Sequence, residues 1–256
     1  MSYYSCKLYC FQISLAYVLI LSEVLNMVTA QDGFASSRAT YTGSPDCYTN
    51  PTEACGYGDY GRTVNGGIVT GVSRLYRNGS GCGACYQVRC RLPDLCHEYG
   101  TSVVVTDYGE GDRTDFILSE EAFKNLANPN MAYKLMSYGV IDVEYKRISC
   151  GYPNSNIMIK IHENSYYPDY LALIILYNAG MYDITGVEIW HEDYKYWVCM
   201  RRAYGAVWDL ANPQRSNLML RVQVNGANGI KYIQPKTVIP SDWKPGAAYD
   251  SEVQLN

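Results

Sequence analysis

Apolar and polar positions alternate along this chain in two different ways. In the first half, Arg38–Thr42 (RATYT) alternates and stops at Gly43-Ser44-Pro45, and Tyr86–Arg91 follows the same period of two. Gly139–Ile148 (GVIDVEYKRI) alternates over its whole length. Ser102–Thr106 is instead an apolar, β-branched run, the pattern of a buried strand, and Phe116-Ile117-Leu118 follows a polar loop from Asp107 to Arg113. Ser119-Glu120-Glu121-Ala122 opens one short helix. The serine caps it, the acidic residues sit at its positive end, and Ala122, Phe123 and Leu126 face inward.

After Gly151-Tyr152-Pro153-Asn154 the pattern changes. Ile157–Ile161, Leu171–Tyr177, Ile184–Trp190, Trp197–Met200, Met219–Val224 and Ile230–Ile233 read as short strands separated by turn residues, with no helix among them. Two all-β domains follow. Residues 31–151 predict a six-stranded barrel, residues 156–252 a β-sandwich of about 100 residues, with the boundary near Tyr152.

The start of the chain sets the compartment. Lys7, the apolar run Ile13–Leu21 and Val28-Thr29-Ala30 fit a secretory leader over residues 1–30. The run is shorter than the roughly 20 residues of a spanning helix, and no second segment is long enough to span. The expected product is secreted, with no membrane partner once the leader is removed. Eight of the ten cysteines remain after residue 30: Cys47, Cys55, Cys82, Cys85, Cys90, Cys96, Cys150 and Cys199. In an oxidising compartment they read as disulfides. Zinc would need a second ligand pair beside Cys82-Gly-Ala-Cys85, and only His97 lies near, so no metal or cofactor is expected. Asn78-Gly79-Ser80 is a glycosylation acceptor. A net charge of −4 with interspersed signs argues against nucleic acid or an anionic membrane as partner. Tyrosine dominates the aromatics, 26 against 4 Phe, which suits half-wet surfaces, though most of these rings read as core-edge residues.

Several motifs together resemble the expansins, in particular their expansin-like B branch. They are Ala39-Thr40-Tyr41, Ala54-Cys55-Gly56-Tyr57-Gly58, Cys82-Gly83-Ala84-Cys85-Tyr86, Thr106-Asp107, Trp197…Met200…Tyr204-Gly205-Ala206-Val207-Trp208, and the tail Pro240…Trp243-Lys244-Pro245…Val253-Gln254. The resemblance implies a double-psi β-barrel related to family 45 glycosidases, followed by an immunoglobulin-like carbohydrate-binding sandwich. It implies disulfides Cys55–Cys82, Cys85–Cys150 and Cys90–Cys96. Cys47 and Cys199 are left to pair with each other, or Cys199 stays a thiol buried in a strand core. It also implies a monomer in the plant cell wall that binds cellulose and matrix polysaccharides and loosens them without hydrolysis.

The same resemblance locates the chemistry. The glycosidases' acid falls at Ile117, which can neither give nor take a proton, and Thr42-Gly43-Ser44 offers no carboxylate in place of their base. Asp107 and Tyr108, with Thr40 and Thr42 on the facing wall, are the expected groove; the other reading of Asp107 is a loop cap. Asp115, two residues before Ile117, is a candidate replacement carboxylate on strand alternation. Glu110, Asp112 and Arg113 read as a solvated loop, and His97, His162 and His191 as surface or strand-edge residues. Tyr170 and Tyr204, flanked by Tyr167 and Trp208, match the sugar-stacking positions of related sandwiches, whereas Trp190 and Trp197 read as packing between the sheets. Two other readings stay open: a weak glycoside hydrolase, and a binding or defence-related module without loosening activity.

Overall fold

The computed structural model describes residues 33–43, 54–110 and 114–255. The alternating segments of the first half form a closed barrel of six strands: β1 (Ala35–Tyr41), β2 (Val69–Val72), β3 (Cys85–Cys90), β4 (Thr101–Tyr108), β5 (Phe116–Leu118) and β6 (Ile141–Ile148). Their order around the barrel is β1-β5-β2-β4-β3-β6. β1 runs parallel to β5 and β2 parallel to β4, while the other pairs are antiparallel. Val88, Val103, Val105, Phe116 and Leu118 fill the interior, each fully buried. Helix α2 (Glu120–Lys124) starts where the sequence places it, with Ser119 Oγ accepting from the Ala122 N–H at 3.2 Å. Sequence pattern alone did not show α1 (Asp59–Thr63), α3 (Ala132–Met136) or β2, whose Val-Thr-Gly-Val is hidden by the surrounding glycines.

The second unit is an immunoglobulin-like sandwich. One sheet has the order β10 (Tyr196–Cys199), β9 (Asp183–His191), β13 (Leu220–Gly226), β14 (Gly229–Ile233). The other runs β11 (Arg201–Tyr204), β12 (Val207–Ala211), β8 (Tyr170–Leu176), β7 (Met158–Ile161), β15 (Ala248–Asp250). Strand β8 is apolar at nearly every position because both its faces are covered. Leu171, Leu173 and Ile175 point into the sandwich core, while Ala172, Ile174 and Leu176 pack toward the barrel. Trp190 and Trp197 are not between the sheets as expected. Val187, Ile189, Leu220 and Val222 fill that space, and the two tryptophans pair on the other face of their sheet, half-buried.

Three disulfides join Cys55–Cys82, Cys85–Cys150 and Cys90–Cys96, the pairing the resemblance implies. Cys199 is a free thiol but an exposed one, because it ends the edge strand β10 and faces outward opposite Glu188. Cys47, Asp112 and Arg113 lie outside the described residues, as does the leader. Among the described residues no helix is long and apolar enough to cross a membrane.

The two units meet through unusually close backbone approaches. Ala206 N–H donates to the Cys55 carbonyl at 2.9 Å. A Cβ at Gly205 would lie 2.2 Å from the Ala54 carbonyl oxygen, and one at Gly79 would lie 2.4 Å from the Gly205 carbonyl oxygen. Both glycines also have positive φ, +46° and +91°, so only glycine fits without strain. Arg202 donates to the carbonyls of Gly205 and Ile184, both at 2.6 Å, with its guanidinium 4.2 Å over the Trp208 ring. Arg77 and Arg147 both grip Asp183, at 2.8 and 3.0 Å.

Asp115 is a clamp of the barrel and not a groove residue. Its carboxylate is nearly buried and accepts from Ser37 Oγ at 2.7 Å, Ser73 Oγ at 3.1 Å and Arg74 Nε at 2.8 Å, with a second contact to the Arg74 guanidinium. It precedes β5 and has left strand geometry, so two-residue alternation does not carry it to the side of Ile117. Thr40 is likewise turned away: its hydroxyl donates to the Gly139 carbonyl at 2.9 Å in a fully buried position.

Two outcomes follow from these contacts. Gly205→Ala should destabilise the protein by about 2 kcal/mol or more and expose the junction near Tyr152 to protease; an unchanged melting temperature would contradict the close approach. The Arg74 hydrogen bond holds the Asp115 carboxyl below its ordinary value of 3.8. Its contribution is thus complete above that value and is lost as pH falls through the lower folded one. Asp115→Asn should cost about 1.5–3 kcal/mol near neutrality and flatten the acid limb of stability in urea titrations below about pH 4.

Candidate functional site

A cleft of about 340 Å³ opens on the barrel, lined among others by Thr42, Tyr57, Asp107, Tyr108, Ile117 and Glu120. The barrel topology explains the grouping. β2 pairs with both β4 and β5, so the end of β4 brings Asp107 and Tyr108 beside Ile117. A register shift between Thr70 and Gly71 turns the end of β4 outward at Asp107. Gly109 leaves room for Ile117, since a Cβ there would sit 2.6 Å from Ile117 Cδ1. Ile117 is 5 % exposed and forms an apolar floor that can neither give nor take a proton.

Asp107 unites the two readings made of it. Its Oδ1 caps the neighbouring backbone, accepting from Ala54 N–H at 2.7 Å and Tyr108 N–H at 2.8 Å, while the residue also lines the cleft. The Tyr108 hydroxyl donates to Glu110, and its ring packs edge-on against Tyr76 at 5.2 Å. Sequence pattern places Glu120 only as a helix-terminal acid. It sits on the cleft because α2 begins two residues after β5 ends. That adjacency was the signal that could have found it. Among the described residues the cleft therefore holds two carboxylates, Asp107 and Glu120. Glu120 is exposed and ion-paired with Lys124 at 2.6 Å, the surroundings of a hydrogen-bond acceptor more than of a proton donor.

The loop bordering the cleft at Tyr57 lies against the sandwich. Tyr76 Oη donates to the Ala54 carbonyl at 3.0 Å, and a Cβ on Gly56 would touch Tyr204 Cε2 at 3.0 Å. Tyr204 is 44 % exposed, and its hydroxyl lies 3.2 Å from His162 Nε2. His162 Nδ1 accepts from Asn164 N–H at 3.1 Å, so in the neutral ring Nε2 carries the hydrogen and donates to Tyr204. Burial holds His162 below its ordinary range, which favours that neutral ring.

Tyr170 is half-buried, and its hydroxyl donates to Asp209 Oδ2 at 2.8 Å. Asp209 is itself forked by Arg201 at 3.0 and 2.6 Å, and that guanidinium holds its carboxyl below the ordinary range. The Tyr170 hydroxyl is pushed up first by burial and then by Asp209, so it stays a neutral ring with a fixed tip. Tyr167 is 46 % exposed and rests edge-on against the buried Trp243 at 5.1 Å.

Trp208, expected beside these rings, is only 4 % exposed and belongs to the sandwich core. The tight turn at Gly205 joins β11 to β12, and along β12 Val207 faces the barrel, so the next residue must face inward. Thr42, Asp107 and Tyr108 thus gather in the cleft, and Tyr170, Tyr204 and Tyr167 lie on the sandwich. Thr40, Asp115 and Trp208 join neither group.

The chain as a whole is similar to known proteins. The Expansin C-terminal domain profile matches residues 157–240, and a profile described as lytic transglycolase matches residues 68–145. Expansin-like B1 of Arabidopsis thaliana is 54% identical, over 91% of this chain and 93% of that protein. Expansin-like B1 of Oryza sativa subsp. japonica is 40% identical, over 93% and 94%. The same fold occurs in the crystal structure of apo-Clavibacter michiganensis expansin, with a TM-score of 0.64 and 19% identity, covering 87% of this chain and 98% of that one. A mutant of that protein, solved in complex with cellohexaose, gives 0.61 at 20% identity. The chain therefore belongs to the expansin family, on its expansin-like B branch.

Proposed function

We propose that this protein is secreted to the plant cell wall, where it binds cellulose and matrix polysaccharides as a monomer and loosens their non-covalent contacts without cutting them. The observation that carries the reading is the apolar floor at Ile117 in a cleft lined by Tyr57, whose neighbour Gly56 lies against the ring of Tyr204. The cleft offers acceptors for sugar hydroxyls at Asp107 and Glu120. The platform offers flat rings for the apolar C–H faces of the sugars. The complex of the Clavibacter relative with cellohexaose supports a glucan chain as the ligand class. Residues 1–30 act as the leader in this reading, and the exposed Asn78, on the rim of the domain junction, as the glycosylation site.

A second reading has one observation in its favour. Inverting hydrolysis needs two carboxyls about 6.5–9.5 Å apart, and Glu120 gives Asp107 a companion on the cleft. Weak glucan hydrolysis predicts reducing ends that disappear in Glu120→Gln. The non-hydrolytic reading predicts no reducing ends from soluble glucan, together with extension of heat-inactivated wall strips under load. Absence of extension would leave a binding module alone.

The platform assignment makes its own prediction. Tyr170→Ala with Tyr204→Ala should weaken binding to insoluble cellulose about tenfold while the melting temperature stays near that of the parent. Binding unchanged in a folded double variant would remove these rings from the site.

A further inference from the structure

The sandwich has a second aromatic face, on the outer side of the sheet that meets the barrel at the Asp183 end of β9. Trp197 of β10 stands in register with Trp190 of β9, their rings edge-to-face at 5.5 Å. One strand further, the Arg221 guanidinium of β13 lies 4.4 Å over the Trp197 ring and 4.6 Å from the Tyr232 ring of β14. The row crosses all four strands, a width of about 14 Å at the usual strand spacing. These rings are not needed inside, since smaller aliphatic residues of the same strands fill the core. Both tryptophans are half-buried and Tyr232 is 50% exposed, so large apolar rings are held at the surface of a secreted protein.

We propose that this face is a second carbohydrate-binding surface that takes a neutral β-linked polysaccharide chain laid across the strands. It goes beyond the cleft and its platform, being built on the opposite sheet. The charges on it favour a neutral polymer. Arg221 is ion-paired with Glu188 beside it, and Glu192 with Lys195 at the hairpin, which leaves these charges matched. The polar groups are held in place. Gln223 donates to the Tyr232 hydroxyl at 2.7 Å and accepts from Thr185 at 2.9 Å, and Trp190 Nε1 donates to Glu192 at 2.9 Å. Flat rings stack on the C–H faces of pyranoses, and a rim of paired polar tips matches their equatorial hydroxyls. With both faces engaged, one molecule contacts two polysaccharide chains at once, and apparent affinity for a bundled wall exceeds that for a single soluble chain.

The exposed Cys199 thiol reports on this face, since it lies two residues from Trp197 on the same strand face. The test measures maleimide modification of the Cys199 peptide by mass spectrometry, with and without cellohexaose, in the full secreted chain. It is run in the parent and in Tyr170→Ala/Tyr204→Ala, so that loss of the barrel-side platform is scored separately. Saturable slowing of Cys199 modification is expected in both. Tyr232→Ala, on an edge strand outside the core, should weaken the protection about threefold to tenfold without altering the fold. Equal modification rates with and without cellohexaose would overturn the proposal, as would protection that depends on protein concentration and needs no sugar, which marks an interface between two copies.

Discussion

The arrangement depends on two backbones pressed together without side chains between them. The loop Ala54–Gly56 of the barrel lies against the turn Tyr204–Val207 of the sandwich, and Gly79 backs that turn from the other side. Three things are fixed by this contact at once. The Cys55–Cys82 disulfide ties the loop to the barrel, the Ala54 N–H is delivered to Asp107, and the Tyr204 ring is set at the end of the cleft. Arg202 and the pair Arg77–Arg147 around Asp183 restrain the same junction from its flank. Two domains joined only by a linker would sample many relative orientations. Here the close approach makes the cleft and the platform one surface.

That surface is shaped for holding. Bond cleavage in a sugar chain asks for a proton donor kept protonated near neutral pH, commonly by burial. Ile117, buried on this cleft, cannot hold a proton for transfer, and among the described residues the carboxylates of the cleft lie at other positions. Asp107 has one oxygen committed to two backbone donors, and Glu120 is solvated beside Lys124. Such groups accept hydrogen bonds from hydroxyls but stabilise ground-state contact more than a developing charge. Binding of that kind lowers the free energy of the bound chain without selecting a transition state.

Much of the fold was legible because periodicity reports burial directly. β4 and β6 were read within a few residues, and the uninterrupted apolar run of β8 reflects a strand covered on both faces. What escaped was short or local. β2 is four residues among glycines, β15 is three residues at a sheet edge, and β12 is buried on both faces over Val207–Asp209, so its sequence does not alternate. The site was half legible. Asp107, Tyr108 and Thr42 came together because they end or adjoin strands of the barrel. Asp115 did not, since alternation holds only inside a strand, and Trp208 did not, since a neighbouring motif residue need not share a face. Trp190 and Trp197 failed for a different reason: size predicts burial, but which side of a sheet a ring takes depends on what else fills the core.

The central claim is that cleft and sandwich platform form a single track for one sugar chain. The direct test is calorimetric titration with cello-oligosaccharides of increasing length. The account predicts affinity that keeps rising beyond the length that fills the cleft, with the extra gain lost in Tyr204→Ala. Affinity that levels off once the cleft is filled, with no effect of Tyr204→Ala on the longer chains, would contradict it.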